Sequence, residues 1–542
     1  MWVTLQRFPH KRWLRIGIAF GSCVLSWGCT PPDDQRGVLR LNLGSRLTSI
    51  DPAQATSQSN CWISSQIFEG LVRLDEHLQV VPGLAQRWSI EDSGRVYRFE
   101  LRSGVRFQGD SATQPGPPLK AADVRFTFQR LLGPATRSSA AAYFAPLIVG
   151  AEAFRSGQSD ALPGVLTPND STVIIQLNQP YAPFLQVLAL PLAAVVSEAA
   201  MKRGTSPTRG TGPYRLVWWA DDRRLVLERN PTYWAPLDSA PRVVDVRFLR
   251  DRLLAFTELK LGRLDFVEGI DPAQTQEVLD SLKLYRQTGI RVHFGPQLTT
   301  EYLGLNTTLP PFDRRALRQA LSLAIDRPQL CAEVLQHQAV AASLSIVPPA
   351  LRPSGQRIHT EYDPAGSRRL LAEAGFVNGS GLPELTLYTT ATHRTTAQFI
   401  QFAWQQLGLR VRVEVVEGAA LREAIYQGQA RCWRASWIAD YADAENYFSL
   451  FWSRNLAPNG PNTTRFQNQT YDRSFERFRT LIPGAQRDEQ HRHLDSLLAE
   501  ESPAIPLYYY QTIRLLGRRV ASLPHSPLNL WFRVDRIRLL NS

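Results

Sequence analysis

This 542-residue chain lacks the sequence motifs that mark common catalytic centres. It contains no G-x-S-x-G nucleophile motif, no H-E-x-x-H zinc motif, no phosphate-binding P-loop and no G-x-G-x-x-G after a strand pattern. Its nine histidines are scattered, and His491 and His493 would point to different sides of a helix. We therefore expect a protein that binds without catalysing a reaction and has neither a metal site nor a cofactor. A secreted hydrolase is the disfavoured alternative.

Cysteine is scarce, and the five cysteines form no C-x-x-C pair, so neither a zinc knuckle nor a redox motif is predicted. Two of them, Cys23 and Cys29, lie in the N-terminal segment. The other three are Cys61, Cys331 and Cys432. Their spacing leaves two arrangements open, namely one disulfide with a free thiol and three buried, unpaired thiols.

Runs of like charge are also absent, although the formal net charge is +12. The cations are mostly arginines interleaved with Asp and Glu, whereas a nucleic-acid-binding protein gathers them on one face or in one arm. The pattern favours a solvated surface and argues against a nucleic-acid partner. Hydrophobic residues make up 44% of the chain, which is a globular composition, and the length predicts three or four domains.

The N-terminal segment has the pattern of an export signal. Residues 7–15 are basic, a short apolar stretch follows, and the segment ends at Gly28-Cys29. It resembles a lipoprotein signal, in which the cysteine after a small residue is acylated and becomes the mature N-terminus. We predict a signal peptide over 1–28 and lipidation at Cys29, with ordinary cleavage nearby as the alternative. The longest later apolar stretch, 181–196, is too short to span a bilayer and is predicted to be core.

Strand-like and helix-like segments alternate from residue 37 onward. Alternating apolar and polar residues predict strands over 38–43, 96–101, 172–177, 225–228, 243–249 and 409–416. Apolar residues at helical spacing predict helices over 314–325 and 395–407, and Pro/Gly-rich segments predict loops at 115–118 and 206–213. The fold class is therefore α/β.

Several segments, in a fixed order, resemble the bacterial extracellular solute-binding proteins of family 5, which include the dipeptide- and oligopeptide-binding proteins. The matching segments are I-F-E-G-L-V at 67–72, V-P-G-L-A at 81–85, L-R-S-G-V-R-F at 101–107, A-A-D-V-R-F at 121–126, G-T-G-P-Y at 210–214, R-N-P-T-Y-W at 229–234 and Y-L-G-L-N at 302–306. The chain departs from the family pattern after residue 107, where a Pro-rich loop is inserted.

This resemblance implies a two-lobed, periplasmic-binding-protein-like fold of class II type with an additional α/β domain. Chain order assigns residues 37–69, 206–299 and 512–542 to lobe I, 70–205 to the additional domain and 300–511 to lobe II. The implied protein is a periplasmic, monomeric lipoprotein that captures di- or oligopeptides between its lobes and delivers them to the permease subunits of an ABC importer. The alternative is another solute on the same fold, such as a nickel chelate, glutathione or an oligosaccharide.

The segment R-A-S-W-I-A-D-Y at 434–441 resembles the W-x-A-D-Y segment of oligopeptide-binding proteins. In those proteins the Asp pairs with the ligand's α-ammonium and the preceding strand binds the peptide backbone. The resemblance thus implies ligand contacts for Asp440, Trp437, Ser436 and Tyr441. A buried, unpaired carboxylate costs several kcal/mol, so Asp440 favours an amine-bearing ligand. The alternative is that Asp440 caps a turn and Trp437 fills the core.

Two further positions match family residues that contact other parts of the ligand. Arg434 matches a cation used on the ligand's carboxylate side, with an ordinary surface arginine as the alternative. The segment I-P-L-Y-Y-Y at 505–510 resembles a Tyr-rich family strand, whose period of two places Tyr508 and Tyr510 on one face and Tyr509 on the other. Tyr510 aligns with a cleft-lining tyrosine, with a packed aromatic strand as the alternative.

Overall fold

The computed structural model describes residues 37–540, except 112–113, 204–207, 221–222, 271–274, 276, 279, 282–284, 286 and 357–361. The predicted signal peptide over 1–28 and the predicted lipidation site Cys29 lie outside the described residues. Within the described ranges, no helix combines the length and the apolar character needed to cross a membrane.

One large mixed sheet organises the described part of the chain. In sheet order its strands are β15 (Val411–Val415), β14 (Leu385–Thr389), β16 (Cys432–Ile438), β12 (Arg291–Leu305), β17 (Ala504–Leu516), β11 (Phe266–Glu268), β1 (Val38–Asn42), β10 (Val243–Arg247), β9 (Arg224–Arg229) and β8 (Tyr214–Ala220), with β13 (Ala339–Ala341) paired to β17. β14 is parallel to β15 and β16, and β1 is parallel to β10 and β11. The other pairs are antiparallel.

The two longest strands, β12 and β17, connect the two halves of this sheet. Residues 291–296 pair with 511–516, next to β11, and residues 300–304 pair with 504–509, next to β16. The register shifts between Pro296 and Thr300, at the junction of the halves. The borders predicted at 299/300 and 511/512 both fall inside these strands.

A second, antiparallel sheet lies within residues 85–176, in the order β4 (Ala85–Glu91), β5 (Val96–Leu101), β7 (Thr172–Gln176) and β6 (Val165–Asn169). A short hairpin of β2 (Val72–Leu74) and β3 (Val80–Pro82) precedes it, and β18 (Val520–Ser522) pairs with β19 (Arg538–Leu539) near the C-terminus. The alternation in V-Y-R-F-E-L explains β5, since Tyr97, Phe99 and Leu101 are buried while the intervening residues are half-buried. These side chains belong to a core that also takes in Val124, Phe128 and Phe184.

Helices connect the strands of these sheets. Their bounds are α1 (Gln58–Ile67), α2 (Ala121–Leu132), α3 (Ala141–Phe144), α4 (Ala151–Arg155), α5 (Phe184–Leu188), α6 (Glu198–Lys202), α7 (Arg252–Lys260), α8 (Arg315–Leu323), α9 (Arg327–Gln329), α10 (Pro364–Glu373), α11 (Arg394–Gln405), α12 (Gly418–Tyr426), α13 (Glu445–Phe448), α14 (Gln469–Phe478) and α15 (Ala485–Glu501). α8 buries Leu317, Ala320 and Leu321 on one side, as the predicted spacing requires.

The structure confirms the secondary structure predicted for these segments, with ends displaced by one or two residues at most. The predicted helices over 314–325 and 395–407 are α8 and α11, and the apolar stretch 181–196 is largely buried around α5. The choice left open for the cysteines is settled, because Cys61, Cys331 and Cys432 are all free and buried. Burial raises the pKa of the Cys61 and Cys331 thiols to about 12, so they are un-ionised at neutral pH.

Candidate functional site

Strand β16 leaves one edge of its backbone exposed at the candidate site. On one side it pairs with β12 from Cys432 to Ile438. On the other side, the described ladder with β14 covers Cys432 and Trp433. In an antiparallel pair only every second residue directs its N–H and C=O to the partner, so the stretch from Arg434 to Ile438 presents the rest to the other side. An extended peptide could add to this edge as a further strand.

Asp440 follows the end of β16 and carries a half-buried carboxylate. Asn446 Nδ2 donates to Asp440 Oδ2 at 3.4 Å, and Tyr143 makes a second side-chain hydrogen bond to the same carboxyl group. Burial raises the pKa of Asp440, an effect that these two hydrogen bonds oppose. None of the described arginines, lysines or histidines forms an ion pair with Asp440. The carboxylate therefore has neutral partners and lacks a counter-charge.

Tyr143 is a site residue that sequence reasoning missed. It lies on α3, in the segment 70–205, and reaches Asp440 from a part of the chain that is about 300 residues away in sequence. Burial and the neighbouring Asp440 both raise the pKa of its hydroxyl, so it stays protonated and donates to the carboxylate. The surrounding sequence A-A-Y-F is ordinary for a short buried helix and gives no signal of this role.

Asn446, which sequence reasoning also missed, orients Trp437 and Asp440, the two candidate side chains of the motif. Its Oδ1 accepts the Trp437 indole N–H at 2.8 Å and the Asp440 backbone N–H at 3.3 Å. Asn446 is buried at the start of α13. Trp437 is half-buried and packs against the neighbouring hydrophobic core. The structure thus brings Trp437 and Asp440 together through one shared amide.

Arg434 and Ser436 form a buried network with Glu301 on β12. Arg434 ion-pairs with Glu301, whose side chain is fully buried. Arg434 Nη2 donates to Ser436 Oγ at 2.7 Å, and Ser436 Oγ donates to Glu301 Oε2 at 2.7 Å. The charge of Arg434 is thus already balanced within the protein. Its prediction as the receptor of a ligand carboxylate stays a prediction, and Glu301 was not foreseen.

Tyr441 lies next to Asp440 in sequence but points into a different cluster. It is buried, its hydroxyl donates to Glu445, and its oxygen lies 3.0 Å from the hydroxyl oxygen of Tyr181. Tyr181 also donates to Glu445 at 3.0 Å. These contacts join the segment 70–205, which contains Tyr181, to the segment that follows β16. Ligand contact by Tyr441 therefore stays a prediction.

Tyr510 on β17 lies between the Asp440 region and a polar depression on the other half of the sheet. It is half-buried, packs edge-on against Tyr508 with ring centres 5.2 Å apart, and hydrogen-bonds Arg434. Tyr509 points to the opposite face, where its hydroxyl donates to the Ser345 carbonyl at 2.6 Å, as the period of two predicted.

Tyr510 also lines the depression, together with Asn42, Arg250, Arg252 and Gln511. This depression lies at the carboxyl ends of β1 and β11, where open α/β sheets bind ligands.

The family model of the bacterial extracellular solute-binding proteins, family 5 Middle, matches residues 79–458. The chain belongs to this family. Its members are solute-binding proteins, and the recognised resemblance is thereby confirmed. Across the described residues, no group of three or more His, Cys, Asp or Glu side chains could hold a metal ion.

Curated relatives of this solute-binding protein match over most of its length. It is 28% identical over 482 residues to the glutathione-binding protein GsiB of Escherichia coli K12, covering 86% of this chain and 87% of the relative. It is 27% identical over 502 residues to the periplasmic oligopeptide-binding protein OppA of Salmonella typhimurium, covering 89% of each.

Among solved structures, the solute-binding protein resembles the unliganded open form of MppA, the periplasmic murein tripeptide binding protein. The identity is 26%, the match covers 93% of this chain and 97% of that one, and the TM-score is 0.81. A second structure, that of Escherichia coli MppA, has the same 26% identity and covers 93% and 98% of the two chains, but its TM-score is 0.69. The two-lobed fold is confirmed by these neighbours.

Proposed function

We propose that this solute-binding protein captures peptides by pairing their N-terminal ammonium group with Asp440. The observation that carries the proposal is the Asp440 carboxylate, which is half-buried and has Asn446 and Tyr143 but no cation as partners. A desolvated carboxylate without a counter-charge is destabilising, and a ligand ammonium removes that penalty. The site is therefore prepared for a cation that arrives with the ligand.

The exposed edge of β16 supports a peptide rather than a simple amine. A peptide whose ammonium reaches Asp440 would run its backbone along the stretch 434–438, antiparallel or parallel to it. Main-chain hydrogen bonds of this kind give affinity without reading side chains, which suits a carrier of varied peptides. Trp437, Ser436 and Tyr510 are the proposed walls of the cleft.

The relatives support the same class of ligand. GsiB is named for glutathione, OppA for oligopeptides and MppA for a murein tripeptide, and each of these ligands is a peptide. Glutathione is the second candidate, because GsiB-type relatives match this chain at 28% identity. A neutral oligosaccharide would leave the Asp440 carboxylate without a partner. A nickel chelate would fit only if it presented an ammonium group or a hydrogen-bond donor on a metal ligand to that carboxylate.

The remaining parts of the proposal concern the cell. We infer that the protein works in the periplasm as a monomer, anchored through an acylated Cys29, and delivers its ligand to the permease subunits of an ABC importer. It needs no cofactor and carries out no reaction. Lobe I (37–69, 206–299, 512–542) and lobe II (300–511) would close on the ligand about the register shift between Pro296 and Thr300 in β12, with the additional domain (70–205) carrying Tyr143.

Calorimetry with a peptide and its N-acetylated form tests this function. Trialanine and N-acetyl-trialanine differ in the ammonium and share their backbone and side chains. We expect trialanine to bind and the acetylated form to bind at least tenfold more weakly, because an uncharged amide leaves Asp440 unpaired. Equal affinities would reject the ammonium site. Binding of a neutral oligosaccharide, with neither peptide bound, would reject the peptide class altogether.

A further inference from the structure

The fold collects arginines at one end of the main sheet, although in the sequence they are interleaved with acids. We call this surface the arginine face and define it by Arg242, Arg291, Arg518, Arg519 and Arg538. All but Arg519 are exposed, and Leu540 beside them is 55% exposed. These arginines come together because strand ends that are far apart in sequence meet here.

Backbone contacts tie these arginines to one another. Arg291 starts β12 and pairs with Leu516 at the end of β17, and its guanidinium donates to the carbonyls of Val520 and Ala521 on β18. In the β18–β19 ladder, Ser522 is the partner of Arg538. The turn between β17 and β18 carries Arg518 and Arg519.

The N-terminal end of β1 completes the face. Arg519 Nη2 donates to the Val38 carbonyl at 3.0 Å, and the Leu540 backbone N–H donates to the Arg519 carbonyl at 2.7 Å. The Arg242 backbone N–H donates to the Gly37 carbonyl at 2.7 Å. The face therefore surrounds Gly37, at the ends of β1, β10, β12 and β17 that lie opposite the polar depression lined by Tyr510.

Three of the five arginines of this face keep an unpaired charge at its surface. Asp265, which ion-pairs with Arg40 and Arg519, is buried beneath the face. Arg291, Arg518 and Arg538 have no ion-pair partner among the described residues. Cationic side chains around an exposed leucine suit a surface of anionic headgroups over an apolar layer, since polybasic surfaces bind such leaflets.

We propose that the arginine face docks on a bilayer that contains anionic phospholipids. The polar depression lined by Tyr510 lies at the opposite ends of β1 and β11. Docking would therefore hold the cleft away from the membrane and open to solution. The face surrounds Gly37, which follows the predicted lipidation site Cys29 by eight residues in sequence, so both proposals bring the same part of the chain to a membrane. The docking proposal requires neither lipidation nor peptide binding.

Vesicle co-sedimentation tests the proposal with the full chain carrying Cys29→Ser, on vesicles of phosphatidylcholine alone or with one quarter phosphatidylglycerol. The quantity measured is the gain in binding that phosphatidylglycerol causes, and the basic residues 7–15 contribute to it equally in every variant compared. We expect a gain that fades between 50 mM and 500 mM salt. Each arginine near an anionic leaflet adds roughly fivefold, so Arg291→Gln/Arg518→Gln/Arg538→Gln should reduce the gain at least tenfold.

Two matched variants separate charge from structure. The control triple Arg394→Gln/Arg422→Gln/Arg473→Gln removes the same charge from exposed sites on lobe II and should keep the gain. The triple Arg→Lys variant of the face keeps the charge and should keep the gain. The proposal is overturned if the parent chain with Cys29→Ser shows no gain from phosphatidylglycerol, a result that would favour an acidic protein as the partner of the face. It is also overturned if the face triple and the control triple lose the gain equally.

Discussion

Asn446 contacts Asp440 twice, through Nδ2 at 3.4 Å from Asp440 Oδ2 and through Oδ1, which accepts the Asp440 backbone N–H at 3.3 Å. The same Oδ1 accepts the Trp437 indole N–H at 2.8 Å. One buried amide thus orients the carboxylate and the aromatic wall of the proposed site. Its loss would release both.

Asn446→Ala is expected to weaken peptide binding on the order of tenfold, because Asp440 and Trp437 lose the group that orients them. Calorimetry with trialanine and with N-acetyl-trialanine measures the effect, which should be larger for the free peptide. Asn455→Ala is the matched control, since Asn455 Nδ2 donates to the Ser449 carbonyl at 3.0 Å, away from Asp440. An equal loss of affinity in both variants would contradict the orienting role.

The sequence predicts those features of the fold and of the site that depend on residues close together in the chain. Alternation of apolar and polar residues predicts β1, β5 and β7, because burial on one face imposes a period of two. Helical spacing likewise predicts α8. Asp440 and Trp437 are recognised as candidates because the motif that carries them is contiguous.

The partners of those candidates could not be predicted, because they come from distant parts of the chain. Tyr143 reaches Asp440 from α3, and Glu301 reaches Arg434 from the neighbouring strand β12. Neither partner stands in a local pattern that differs from that of an ordinary buried residue. The arginine face was hidden for the same reason, since strand ends from five segments form it.

Tyr143→Phe removes the hydroxyl that donates to Asp440 while keeping the ring. We expect a loss of peptide affinity of about tenfold or more, equivalent to one hydrogen bond to a charged group. Tyr471→Phe is the control, because its hydroxyl donates to the Phe448 carbonyl at 2.6 Å and is remote from Asp440. That variant should lower the melting temperature and leave affinity unchanged; the idea fails if Tyr143→Phe behaves the same way.

Glu301→Gln should destabilise the fold by about 3 kcal/mol, because Arg434 would keep its charge in a buried position without a counter-charge. Glu100→Gln breaks a pair with Arg87 whose side chains are 37% and 72% exposed, and should cost far less than Glu301→Gln because solvent screens the pair. Denaturant unfolding of both variants measures the difference. Similar costs would show that the Arg434–Glu301 pair contributes no more than a surface pair.

His525 predicts a loss of stability in mild acid. Its Nδ1 accepts from Arg514 Nη1 at 2.9 Å and its Nε2 donates to the Pro296 carbonyl at 3.0 Å, with His293 and Glu268 nearby. Burial and Arg514 lower the pKa of His525 to about 4, against an ordinary value of 6.5. The unfolded chain therefore binds the proton first, and stability falls as the pH drops from 6.5 to 4.

After allowance for partial exposure, His525 should account for about 1–2 kcal/mol of that loss. Urea unfolding at pH 7, 5.5 and 4.5 measures it. His525→Gln retains a side-chain amide that can donate to Pro296 but cannot bind a proton in this range. The variant should therefore lose less stability over this window, and a loss equal to that of the wild type would assign the acid sensitivity to other groups.

The most direct test of the central claim is a thermodynamic cycle with Asp440→Asn. Trialanine and N-acetyl-trialanine are titrated into the wild type and the variant, and both unliganded proteins are melted at pH 7. Burial raises the pKa of Asp440 above its ordinary 3.8, so the ionised carboxylate destabilises the empty protein, and the isosteric amide should raise the melting temperature.

The account predicts that N-acetylation weakens binding to the wild type strongly and to Asp440→Asn hardly at all, because only the wild type has the charge that the ammonium satisfies. The higher melting temperature of the empty variant would show that its fold is intact. If acetylation weakens both proteins equally, Asp440 does not bind the ammonium, and the proposed basis of peptide capture is wrong.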